Sequence, residues 1–120
     1  MKLNLQLVDI ALMLQTALMD SHYKVCKEEG QTFKPHKHIW KDGEKKVIAQ
    51  ESWVVIAGSV TVTLYVLDDT IIAEEQLKAG DLSMTFNGGH NYLVTSPNTF
   101  VYEFKTGPYY GQKIDKVFLD

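Results

Sequence analysis

Residues 51–68 read ESWVVIAGSVTVTLYVLD, and their spacing decides the fold. β-Branched and aromatic residues dominate both halves, and such residues fit a pleated, half-buried surface better than a helix. In the second half Val60, Val62, Leu64 and Val66 recur every second residue, the period of a strand with one buried face. The first half is apolar on both faces, with Trp53, Val55 and Ala57 on one and Val54 and Ile56 on the other. It is led by Glu51 and ended by Gly58, so a carboxylate enters the sheet at the start of a strand whose second face must also be covered.

Two neighbouring stretches carry histidines toward that carboxylate. Residues 80–94, GDLSMTFNGGHNYLV, read as strand, turn and strand, and deliver His90 directly after Gly88-Gly89. Residues 31–40, QTFKPHKHIW, place His36 and His38 two apart, so on a strand both imidazoles share a face and Lys37 points away. Three neutral imidazoles and one carboxylate form a nitrogen and oxygen set suited to one divalent transition metal per chain, Zn, Mn, Fe, Ni or Co. No thiolate is required, and Cys26 is the sole cysteine.

The spacing of these residues resembles the cupin superfamily of small antiparallel barrels. Its first motif, G(X)5HXH(X)3-4E(X)6G, is met by Gly30, His36, His38, Glu51 and Gly58, with a longer insert, IWKDGEKKVIAQ, between His38 and Glu51. That insert is expected to extend a hairpin loop at the barrel mouth. The second motif, G(X)5PXG(X)2H(X)3N, is met by Gly80, Gly88 and His90. Phe86 stands in the proline position, the histidine arrives one residue early, and Val94 stands in the final asparagine position. The tail EFKTGPYYGQKIDKVFL is similar to the ending of a subset of small bacterial cupins met among genes for surface polysaccharides. The resemblance implies an all-β fold, a small antiparallel double-stranded β-helix of the jelly-roll kind.

The rest of the chain agrees with one domain over residues 1–120. Further short strands are expected at YKVCKE, KKVIAQ, TIIAEE, LSMTF, HNYLV and FVYEFK, with turns at Asp68-Asp69 and Asn87-Gly88-Gly89. Residues 1–22 form an amino-terminal segment in which Leu3, Leu5 and Leu7 alternate as an edge strand and Asp9 caps a short helix running through Met19; a second apolar strand fits the same letters. Its IALML run is far short of the roughly 20 residues that span a bilayer. At 45% hydrophobic and 22% charged, the composition is that of a globular protein, not a disordered one. No export signal is apparent, and the expected location is cytoplasmic.

The net charge of −3 is interspersed, which argues against a nucleic-acid partner. All 12 basic residues are lysine. Lacking arginine's bidentate fork, the chain is less suited to a sugar-nucleotide diphosphate, although Lys34, Lys37 or Lys41 offer point charges. The expected partners are a small-molecule ligand and a second copy of the chain. The homodimer would cover the second apolar face of ESWVVIAG together with the IALML segment.

Phe100, Tyr102 and Phe104 alternate on one face and are expected to pack in the core, with Tyr102 and Phe104 as secondary candidates for substrate contact. Tyr92 shares the strand face of His90 and is a candidate pocket-lining residue. Tyr109 and Tyr110 are expected in a turn that docks the tail, and Cys26 as an inert thiol. No catalytic acid or base is identified. The leading functional reading is a metal-binding small-molecule cupin acting on a sugar or related hydroxy-carbonyl compound, isomerase- or epimerase-like, with the metal as Lewis acid. An Fe(II)-dependent dioxygenase and a non-enzymatic metal- or ligand-binding module are the alternatives.

Overall fold

The structure, a computed structural model, describes residues 21–43, 46–107 and 109–120, the first seven of them as backbone. The amino-terminal strand, helix and IALML readings lie outside the described residues. Among the described residues nine strands and one short helix follow in order: β1 (Ser21–Lys27), β2 (His36–His38), β3 (Glu51–Ala57), β4 (Ser59–Tyr65), β5 (Ile71–Lys78), β6 (Leu82–Thr85), β7 (Gly89–Val94), β8 (Thr99–Lys105), α1 (Gln112–Asp115) and β9 (Lys116–Phe118). All pairings are antiparallel, in one sheet of order β1-β8-β3-β6 and a second of order β5-β4-β7-β2-β9.

Residues 51–68 supply one inner strand to each sheet, β3 to the first and β4 to the second. Gly58 separates them at φ 76°, and a Cβ there would come within 2.7 Å of the Thr99 Cα, so glycine alone fits this crossing. Trp53 and Val55 from β3 meet Val60 and Val62 from β4, and with Tyr92, Val94 and Val101 they form the core. Phe33, Leu64 and Leu77 pack against it. Val66, read as the last member of the buried stripe, lies beyond the end of β4 and is exposed.

Three sequence expectations are corrected. The described residues of KKVIAQ, 46–50, form no strand; within the insert, the described residues contain only the single bridge of Lys41 with Val47. The stripe Phe100, Tyr102 and Phe104 does not face the core, because Val101 does and alternate residues of a strand point oppositely. The tail, expected only to turn and dock, makes the four-residue α1 and then β9, which pairs with β2 and extends its sheet.

On the outer surface of the first sheet, Leu82, Val54 and Tyr102 form one cross-strand row and Met84, Ser52 and Phe104 the next. Leu82, Met84 and Tyr102 remain exposed. No helix among the described residues is long and apolar enough to cross a membrane.

Candidate metal centre

His36, His38, Glu51 and His90 are all buried, and one ligand atom from each lies within 4.8 Å of all the others. The set spans both sheets. His36 and His38 come from β2 and His90 from β7, where His36 and His90 are direct register partners; Glu51 opens β3 in the facing sheet. The turn that delivers His90 depends on Gly88, at φ 114°, where a Cβ would approach the Tyr65 carbonyl oxygen to 2.5 Å. Lys37, between the two histidines, points away as its position requires and pairs with Asp69 at 2.6 Å.

The surroundings aim the ligand atoms inward. His36 Nδ1 lies 3.1 Å from the Lys34 carbonyl oxygen, and His38 Nδ1 lies 3.1 Å from Asp115 Oδ2. Each contact leaves Nε2 facing the centre, the arrangement by which an outer partner fixes the tautomer and angle of a ligating imidazole. Glu51 Oε2 is 3.0 Å from His38 Nε2, and Glu51 Oε1 is 3.2 Å from His90 Nε2. The Trp53 indole N–H donates to Glu51 Oε1 at 3.0 Å, and the indole itself stacks on Tyr92 with centroids 3.9 Å apart.

Burial alone would raise the Glu51 pKa, but the contacts with His38 and His90 prevail and hold the carboxylate below its ordinary range. His36 is pulled down to about 3 by burial, then by His90 and Lys116. The set therefore presents an ionised carboxylate and at least one firmly neutral imidazole, the protonation states a metal requires. His90 gives the sharpest test of fit. Neither of its nitrogens makes an aligned hydrogen bond, although the residue is wholly buried. Such orphaned groups are costly in a native interior, and a cation on Nε2 would satisfy one of them. Two ligands on one metal at about 2.1 Å lie at most about 4.2 Å apart, so only a small contraction closes the set. The four residues fit a divalent metal.

A second group of charges, not identified from the sequence, surrounds the first. Asp115, at the end of α1, is completely buried, and its carboxylate meets Lys41 Nζ at 2.5 Å and Lys105 Nζ at 2.6 Å as well as His38. Burial would raise its pKa, but the two ammonium groups lower it below the usual value. Lys105 is the register partner of Glu51, with its Nζ 3.9 Å from Glu51 Oε2. Lys116, the register partner of His38, places its Nζ 3.5 Å from His36 Nε2. Its pKa is lowered by burial and then by Lys105. Glu103 is pushed upward by burial and by Glu51. The parity of FVYEFK contained a signal for two of these, since the residues sharing a face with Val101 are Glu103 and Lys105.

The aromatic candidates fall elsewhere. Tyr92 neighbours His90, with ring centroids 5.7 Å apart, but it is buried in the core and its hydroxyl is engaged by Ser83. Burial raises the pKa of that phenol. Tyr102 and Phe104 lie on the opposite side of their sheet from Val101 and the buried set.

No family model and no curated protein matches the chain. Solved structures do. The capsular polysaccharide assembling protein CapF from Staphylococcus aureus superposes with a TM-score of 0.67 at 16% identity, over 83% of this chain and 26% of that one. The fold is that of the cupins. QdtA, a sugar 3,4-ketoisomerase from Thermoanaerobacterium thermosaccharolyticum in complex with TDP, gives a TM-score of 0.61 at 13% identity, over 82% of this chain and 66% of QdtA. A variant of oxalate decarboxylase from B. subtilis gives 0.62 at 15% identity, over 96% of this chain and 27% of the decarboxylase. This cupin barrel thus spans about a quarter of the length of CapF and of the decarboxylase.

Proposed function

We propose that this cupin binds one divalent metal per chain through His36, His38, Glu51 and His90, and acts on a sugar or related hydroxy-carbonyl compound as an isomerase or epimerase. The observation that carries the reading is the buried, inward-facing set in which neither His90 nitrogen makes an aligned hydrogen bond and Nε2 faces the Glu51 carboxylate at 3.2 Å. Likeness of fold to a sugar ketoisomerase and to a capsular polysaccharide protein is in keeping with the substrate class. A divalent metal bound there supplies Lewis-acid polarisation of a carbonyl.

The chain's own residues would do the remainder. Asp115 and the Lys34 carbonyl hold two imidazoles in orientation, and Trp53 holds Glu51. The stacked Trp53 and Tyr92, with Phe33 5.7 Å from the indole, close the interior side of the set against water. Glu103, on the inward face of β8 with Val101 and Lys105 and with its proton affinity raised by burial, is assigned the task of taking and returning a proton on the substrate carbon.

The test is metal analysis of untagged protein, followed by proton exchange into deuterated water on a panel of ketoses and aldoses. One metal per chain with exchange at a carbon next to a carbonyl supports the proposal. Metal-loaded protein that consumes oxygen only with iron bound would replace it with the dioxygenase reading.

A further inference from the structure

The charges around the ligand set are unevenly paired. Asp115 accepts two ammonium groups, Lys41 and Lys105, and Lys105 also faces Glu51. Lys116 forms no ion pair among the described residues, and its contact there is the 3.5 Å approach to His36 Nε2. That nitrogen is the one His36 offers to a metal, because its Nδ1 is engaged by Lys34. Once a metal takes Nε2, Lys116 loses this acceptor and stands half-buried beside an added double positive charge. A cation drawn partly out of water and next to another cation is unstable unless an anion joins it. The carboxylates of Glu51, Asp115 and Glu103 attract Lys116 from nearby without pairing with it, and because the first two already face Lys41 and Lys105, they do not offset the two positive charges a metal would add.

We propose that Lys116 is the recognition group for an oxyanion on the substrate, so that the preferred ligand is an acidic hydroxy-carbonyl compound and not a neutral sugar. This rests on the metal reading above and narrows its substrate class. Register supports the placement. Lys116 is held opposite His38 by the β2–β9 pairing, so its side chain emerges on the face that carries the imidazoles. Lysine suits the task, since its ammonium is a compact charge that can follow a single oxygen without the bidentate geometry arginine demands.

The experiment uses full-length protein loaded with cobalt(II), whose visible absorption reports both occupancy and changes at the ion. Glycolate, its neutral counterpart glycolamide and inorganic phosphate are titrated into the wild type, Lys116→Met and Lys116→Arg. Glycolate should bind the wild type at least tenfold more tightly than glycolamide. Lys116→Met should lose that preference while keeping one cobalt per chain, and Lys116→Arg should recover part of it. Phosphate binding more tightly than glycolate would assign the oxyanion as a phosphate, still held by Lys116 if Lys116→Met abolishes it. Equal binding of glycolate and glycolamide, or unchanged preference in Lys116→Met, overturns the proposal while leaving the metal site standing. Failure of the wild type to bind cobalt at all overturns the metal reading and this inference with it.

Discussion

The Nδ1 of His38 lies 3.1 Å from Oδ2 of Asp115, a residue 77 positions later in the chain and completely buried. The contact ties the end of α1 to a ligand on β2, and it gives the tail a role in the centre. Replacing Asp115 with Asn keeps the shape but removes the charge that fixes the imidazole. Metal affinity should fall about 10- to 100-fold. Lys41 and Lys105 would also lose their shared counter-ion, so the metal-free protein should be destabilised by roughly 3–5 kcal/mol. Metal titration and denaturant melts of Asp115→Asn check both, and unaltered affinity in a folded variant would show that Asp115 does not act through His38.

Trp53 makes a separable contribution. Its indole N–H restrains Glu51 while its ring carries the stacking on Tyr92. Trp53→Phe retains an aromatic surface and deletes the donor. A hydrogen bond to a charged group contributes about 1.5–3 kcal/mol, so metal binding should weaken by about tenfold or more if that restraint is lost to the site. Isothermal titration of the variant with the same metal reads this directly.

Much of the centre was legible in the sequence because its signals are local. The two-residue spacing of His36 and His38, the apolar run after Glu51 and the Gly88-Gly89 turn before His90 each fix a side chain's direction by strand parity or by a turn. The outer charges were not legible in this way. Lys116 reaches the centre only because β9 pairs with β2, and three residues, KVF, give no periodicity from which to infer that pairing. Asp115 looks like an ordinary exposed acid until α1 buries it. On β8 the local signal misled: three alternating aromatics outweighed a face holding Thr99, Val101, Glu103 and Lys105, although that is the inward one. A charged site inside a barrel inverts the usual rule that apolar residues mark the core.

Glu103 is the proposed proton carrier, and its replacement should separate binding from chemistry. Glu103→Gln is expected to hold one metal per chain and to lose proton exchange on an accepted substrate by about 100-fold or more. Exchange persisting at the original rate, followed by NMR in deuterated water, would remove Glu103 from the mechanism.

The homodimer is proposed on the outer rows of Leu82, Val54 and Tyr102 and of Met84, Ser52 and Phe104, six uncharged residues whose rows continue on β1 at Lys24 and His22. A two-fold contact needs only one such self-complementary patch, so a second copy of the chain is the occupant chosen. Sedimentation at micromolar concentration should give a dimer. Met84→Glu should shift it toward monomer without lowering metal content, since Met84 is on the face away from the ligand set. A monomeric wild type under the same conditions refutes the assignment.

Acid should act on this protein first through folding. Three unperturbed histidine ligands would imply loss of metal just below neutrality, but His36 is held to about 3 in the folded chain by burial, His90 and Lys116. In the unfolded chain it takes its proton near 6.5. Between these values the unfolded state binds the extra proton, so stability conferred by neutral His36 is complete above about pH 6.5 and is lost progressively as the pH falls toward 3. Melting temperature of metal-free protein should therefore decline from pH 7 to pH 4. His36→Gln cannot titrate and should decline less steeply over the same interval, whatever its stability at neutral pH. Parallel curves for the two proteins would show that His36 takes its proton equally in both states, and that the interior of the ligand set is wetter than its burial indicates.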